Sequence, residues 1–195
     1  MVTVSVALLV LLAGILFLAL RERPSSAPPA PPRPVDLGSA LELGRLADCS
    51  QSPALASVLE QMVRTDPRTF ESRRGGPIRV PGYDRPITPT FERRREVSRG
   101  ADIREVTADL DLPGRWHALA MTGLRRSFTE ESDVSSIEIR FAEPPERVRD
   151  TLVRHGFSLP PVGAFRELDE GGSVVSLMIG VDRIDGGAAL TCATG

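Results

Sequence analysis

Val2 to Leu20 reads VTVSVALLVLLAGILFLAL, a run with no charge and nothing more polar than Thr3 and Ser5. At the helical rise it spans about 28 Å, close to the hydrocarbon thickness of a bilayer. No other stretch constrains the chain as strongly. A cleavable signal peptide wants a basic leader, a shorter apolar run and a small-x-small cleavage site. Here no Lys or Arg precedes the run, and Ala27 and Ala30 beyond it are each followed by Pro. The sequence therefore predicts an uncleaved, single-pass anchor over residues 1–20, set in the inner membrane of a bacterial envelope.

Arg23 to Pro34 reads RPSSAPPAPPRP. Proline fixes φ and removes backbone donors, so this segment is an extended, semi-rigid spacer with too little apolar surface to fold. The linker is assigned to residues 21–40. Residues 41–195 then form one globular domain, long enough to bury a core.

Within that domain Ser52 is an N-cap and Pro53 opens a helix over about 53–64. Its apolar stripe is Leu55, Val58, Leu59 and Met62, at i, i+3, i+4 and i+7. Residues 65–85 read as a loop and 87–98 as a strand. Glu105 to Leu112 alternates without a fault and sends Val106, Ala108, Leu110 and Leu112 to one face. Pro113-Gly114 reads as a turn, residues 116–128 as the returning strand, and 135–142 as another. A second helix is expected at about 145–155, opened by Pro145 and closed at Gly156. Strands at 174–184 and 188–194 flank Asp185-Gly186-Gly187, a hairpin signal. The short, Gly-containing connections favour antiparallel pairing. The expected fold is α+β: an antiparallel sheet with both helices packed on one face. Leu55, Leu59, Val106, Leu110, Ile137, Ile139, Leu152 and Leu177 are the expected core.

Cys49 precedes the first helix, and Cys192 lies in the last strand. A bridge between them would join the beginning of the domain to its end, and stable bridges belong to an oxidising compartment. This places the domain in the periplasm. Arg21 and Arg23 pull the other way, since basic residues flanking an anchor favour the cytoplasm.

Composition excludes several activities. All 24 basic residues are Arg, and there is no Lys. Schiff-base chemistry, a lysine general base and a phosphate-binding loop ending in Gly-Lys are therefore absent. A formal charge of −2 and 5% aromatic residues argue against nucleic acid as a partner. Two histidines, His117 and His155, lack metal-ligand spacing, and no metal or cofactor is expected. His155 at a helix end is explained by the helix dipole. Glu105, Asp109 and Asp111 share the solvent face of one strand, and Asp182 and Asp185 flank a turn; neither set fixes an acid/base site. Arg73 and Arg74, beside Gly75-Gly76, form with Arg93 and Arg95 a weak candidate for anion binding.

No motif fixes a reaction. The leading expectation is a tethered, non-catalytic binding or accessory domain acting on another envelope protein. The alternatives are an envelope hydrolase whose carboxylates assemble only in the fold, and an anion or lipid-headgroup binder working through the Arg clusters.

Overall fold

The computed structural model describes residues 34–38, 49–69, 71–98, 101–130, 134–168 and 176–194. The expected anchor, and the spacer up to residue 33, lie outside these residues. Among the described residues no helix is long and apolar enough to cross a membrane.

The domain is mixed α+β, with one large sheet and two helices. Helix α1 runs Pro53–Met62 and α2 Pro145–Arg154. The strands are β1 (Val35–Asp36), β2 (Val63–Thr65), β3 (Ser72–Arg74), β4 (Thr90–Ser98), β5 (Ala101–Trp116), β6 (Leu119–Thr129), β7 (Ser135–Phe141), β8 (Phe165–Leu168), β9 (Leu177–Ile184) and β10 (Gly187–Thr194). Strands β4 to β7 form an antiparallel meander, and after α2 the strands β8 to β10 form a second. Strand β10 then joins the two by pairing with β7. Strand β1 lies parallel to the far end of β5, with Val35 opposite Gly114.

Alternation explains which face is buried. Leu110, Leu124, Ile139, Leu190 and Val181 stand in cross-strand register over β5, β6, β7, β10 and β9. Each is at most 1% exposed. The stripe Leu55, Val58, Leu59 and Met62 of α1 joins the same cluster, as do Val148 and Leu152 of α2. Ser52 caps α1, its hydroxyl accepting from Leu55 N at 3.2 Å. Of the eight expected core residues, six are fully buried, while Ile137 and Leu177 pack partly buried against the cluster.

Three expectations need correcting. Pro113-Gly114 is not the turn. Strand β5 continues to Trp116, with a register irregularity between Asp111 and Gly114 that accommodates a residue lacking an N–H. Glycine at 114 serves close approach instead: a Cβ there would run into the Leu37 side chain and the Val35 carbonyl. The turn falls at His117-Ala118, both at positive φ. Second, residues 65–85 are not all loop. Strands β2 and β3 pair as a small hairpin, with Gly75 N–H bonded to Met62 O at the end of α1. The expected strand at 87 starts only at Thr90, because Ile87 pairs with Ile78 in an isolated bridge. Third, β1 and β8 were not expected; β1 lies in the stretch read as spacer, and two to four residues are too few to show a period.

Candidate functional site

Cys49 and Cys192 form a disulfide, with Cα atoms 5.6 Å apart and a sequence separation of 143. The bridge joins the segment entering α1 to β10, the strand between β7 and β9. Cys49 sits at φ +62, outside the helix it precedes.

The arginines singled out by sequence do not gather around an open anion site. Arg93 donates from Nη2 to Ser72 O at 2.6 Å and to Glu130 Oε1 at 3.0 Å. Arg104 Nη1 lies 3.6 Å from Glu130 Oε2. The carboxylate that these cations surround belongs to the chain itself. The Glu130 side chain is only 5% exposed and also accepts from Ser72 N at 2.9 Å. Burial works to raise its pKa, but the Ser72 hydrogen bonding and the two guanidinium groups outweigh it and hold it below the ordinary value. Glu130 thus fastens the β2–β3 hairpin to the main sheet. Arg73 pairs with Glu71 on the surface, and Arg74 is exposed beside it in β3. Arg95 lies farther along β4, opposite Arg104.

The acids of β5 lie on the face turned away from the core, where Asp109 is paired. Arg125 Nε and Nη2 donate to its two oxygens at 2.8 and 3.2 Å, and Arg140 Nη1 lies 3.1 Å away. Arg140 also reaches Glu138 at 3.3 Å. Hydrogen bonding to Asp109 raises the Arg125 pKa despite partial burial. This is a fixed ion-pair ladder across β5, β6 and β7, with each charge already answered by another. Asp182 is half-buried and Asp185 exposed at the β9–β10 turn. Among the described residues no three His, Cys, Asp or Glu side chains come close enough to hold a metal ion.

Among the described residues a trough lies open at the end of the sheet away from β1. Its apolar part is a cleft of about 250 Å³ lined by Ser127, Thr129, Val134, Ser136, Met178 and Ala193, among others. Ser127, Ser136 and Ala193 are in direct register across β6, β7 and β10, so small side chains make a low floor, and Met178 follows in β9. Val134 stands over it, 49% exposed. Glu105 and Thr129 also line a wider depression of about 620 Å³ with Arg94, Arg95 and Ile103. Arg94 is bonded to Glu92 at 2.8 Å.

No protein-family model, curated protein or solved structure matches this chain.

Sequence reasoning missed two side-chain groups. Arg126 points into the core face, where its Nη1 donates to Leu59 O of α1 at 2.9 Å and its guanidinium lies 5.3 Å from the Phe128 ring centre. Burial lowers its pKa, with Glu60 acting in the opposite sense. The adjacent Arg125-Arg126 pair held the signal, because alternation must send one of the two inward. The second group is His117 and His155. Their rings are 4.5 Å apart although 38 positions separate them in sequence. Only the position of the β5–β6 turn could have brought them together. Backbone in the left-handed region costs a non-glycine residue about 1–2 kcal/mol, so this turn is strained at both positions.

Proposed function

We propose that the chain is a membrane-tethered periplasmic module without catalysis of its own, which binds another envelope protein through the trough at the far end of its sheet. The observation that carries this reading is the apolar cleft around Val134 and Met178. Its lining is mostly small and uncharged, which suits an inserted apolar side chain of a partner rather than proton transfer on a substrate.

The disulfide supports the compartment, since bridges persist on the oxidising side of a membrane. Sheet geometry supports the direction of binding. The chain joins the sheet at Val35 beside Gly114, while Ile103 borders the trough eleven residues back along β5. At strand rise that is about 36 Å. The trough therefore lies at the end of β5 remote from β1.

A photo-crosslinking residue placed at Val134 of the full chain, expressed in its own host, tests the reading. It should join the domain to a discrete envelope protein, and Met178→Arg should abolish the adduct. Equal crosslinking from Ala118, at the opposite end of β5, would overturn the choice of surface. Maleimide labelling of both cysteines before reduction would overturn the compartment.

A further inference from the structure

The histidine pair is separate from the trough and from every contact used above. His117 belongs to the two-residue turn between β5 and β6, with φ +48 at His117 and +65 at Ala118. His155 is the C-cap of α2, its N–H bonded to Leu152 O at 3.0 Å. The two imidazoles lie 4.5 Å apart at an interplanar angle of 34°. His117 also contacts Trp116, with ring centres 4.6 Å apart, and meets Phe157 edge-on at 6.0 Å. Trp116 is fully buried. The Nε2 atom of His117 is buried without a hydrogen-bond partner among the described residues. This contact holds a strained turn against the end of a helix, and it does so with the one side-chain type that gains charge near neutral pH.

We propose that the His117–His155 contact is an acid-released latch between the β5–β6 hairpin and the C-terminal end of α2. Two neutral rings can stack there; two imidazolium rings repel at that distance. His155 is exposed and stands at the C-terminal end of the helix. His117 resists protonation because it is partly buried, and also because a charge on His155 opposes a second one; Asp36 from β1 acts in the opposite sense. The Trp116 ring, which favours a neighbouring cation, works with Asp36. Phe157 adds only an apolar edge. Two charged groups of the neighbouring elements are engaged elsewhere. Glu143 accepts from Ala120 N at 2.9 and 3.0 Å, and Arg154 is turned back onto Asp150 O and Thr151 Oγ1. Once both imidazoles carry charge, the stacking that holds the turn is lost. The strain at His117-Ala118 then favours opening.

Trp116 is the only tryptophan in the chain, and an imidazolium in contact with an indole quenches its emission. The test is a fluorescence titration of the full chain in mild detergent, with amide hydrogen exchange at both ends of the pH range. Emission should fall reversibly as pH drops, with a midpoint below the ordinary histidine value of about 6.5. His155→Gln should raise that midpoint by about half a pH unit or more, and His117→Gln should remove the transition. Below the midpoint, amides of residues 116–119 and 155–157 should exchange about tenfold faster while those of β6 and β7 stay protected. The histidine ring resonances of the unaltered chain give the midpoint directly should His117→Gln fail to fold. An unshifted midpoint in His155→Gln, or a titration with no change in exchange, would overturn the latch.

Discussion

The two ends of β5 are built from different materials. At the Trp116 end the strand meets large rings: Trp116 stacks on Phe141 at 5.8 Å and meets Phe157 edge-on. Leu37 and Leu119 are buried there too, and Tyr83 donates to Pro113 O at 2.8 Å. At the Ala101 end the neighbours are Arg94, Arg95, Glu105, Ser127 and Thr129, around an open trough. One strand thus runs from close-packed core to solvated surface. The first end is where apolar burial is concentrated, and the second lies open to solvent.

Truncation should separate the two ends most sharply. Trp116→Ala should cost about 3–5 kcal/mol, read as a fall in the urea midpoint, while Val134→Ala should stay within about 0.5 kcal/mol. Comparable losses at the two sites would abolish the contrast. Leu110→Ala, midway along the strand, should resemble the packed end and cost about 2–5 kcal/mol.

Removing the bridge comes next. Cys49→Ser with Cys192→Ser should cost about 2–5 kcal/mol, although neither residue belongs to the aromatic end. If the loss is negligible, the covalent link adds nothing to the packing around α1 and β10.

Glu130→Gln should cost about 1–3 kcal/mol, because Arg93 and Arg104 would lose their buried counter-charge. Thermal unfolding of the pair of proteins at neutral pH measures this. It tests whether the polar end contains one structural charge cluster among its solvated ones.

The smallest effects concern pH and sharpen the contrast further. The Glu130 pKa is held down in the fold, so its contribution is complete above the unfolded carboxyl value. It is lost as pH falls from about 4.3 through the lower folded value. The His117 pKa is also lowered, so the unfolded chain takes up that proton first. Its contribution is present above about 6.5 and declines as pH drops through the folded value. Stability profiles should therefore fall in two steps, the aromatic end yielding below the ordinary histidine value and the polar end only below the ordinary carboxyl value. A single step in the Glu130→Gln variant, at the histidine position, identifies the second group.

Much of this fold could be read from residue order, and the reasons are local. The alternation from Val106 to Leu112 and the stripe from Leu55 to Met62 each carry their own periodicity, so the faces they bury could be assigned. Pro113-Gly114 misled because turn chemistry and strand-edge chemistry use the same residues; only contact with Val35 and Leu37 distinguishes them. The setting of Arg93 was out of reach of local pattern for a related reason. Its partner Glu130 is 37 residues away, and no local pattern reports such a pairing. The trough was hidden because its floor depends on the register of four strands rather than on any one of them.

Ser136 of β7 and Met178 of β9 flank the strand that ends in the bridge. Consider this domain pulled between its N-terminal and C-terminal ends. Tension entering at Pro34 can detach the two-residue β1, but at Cys49 it passes through a covalent bond into the interior of the sheet. The polypeptide between Cys49 and Cys192, which includes both helices and strands β2 to β9, is then bypassed by the load. Stretching can lengthen only the segments outside that closed loop. The trough, framed by strands inside it, would keep its shape under a force that straightens the leading segment.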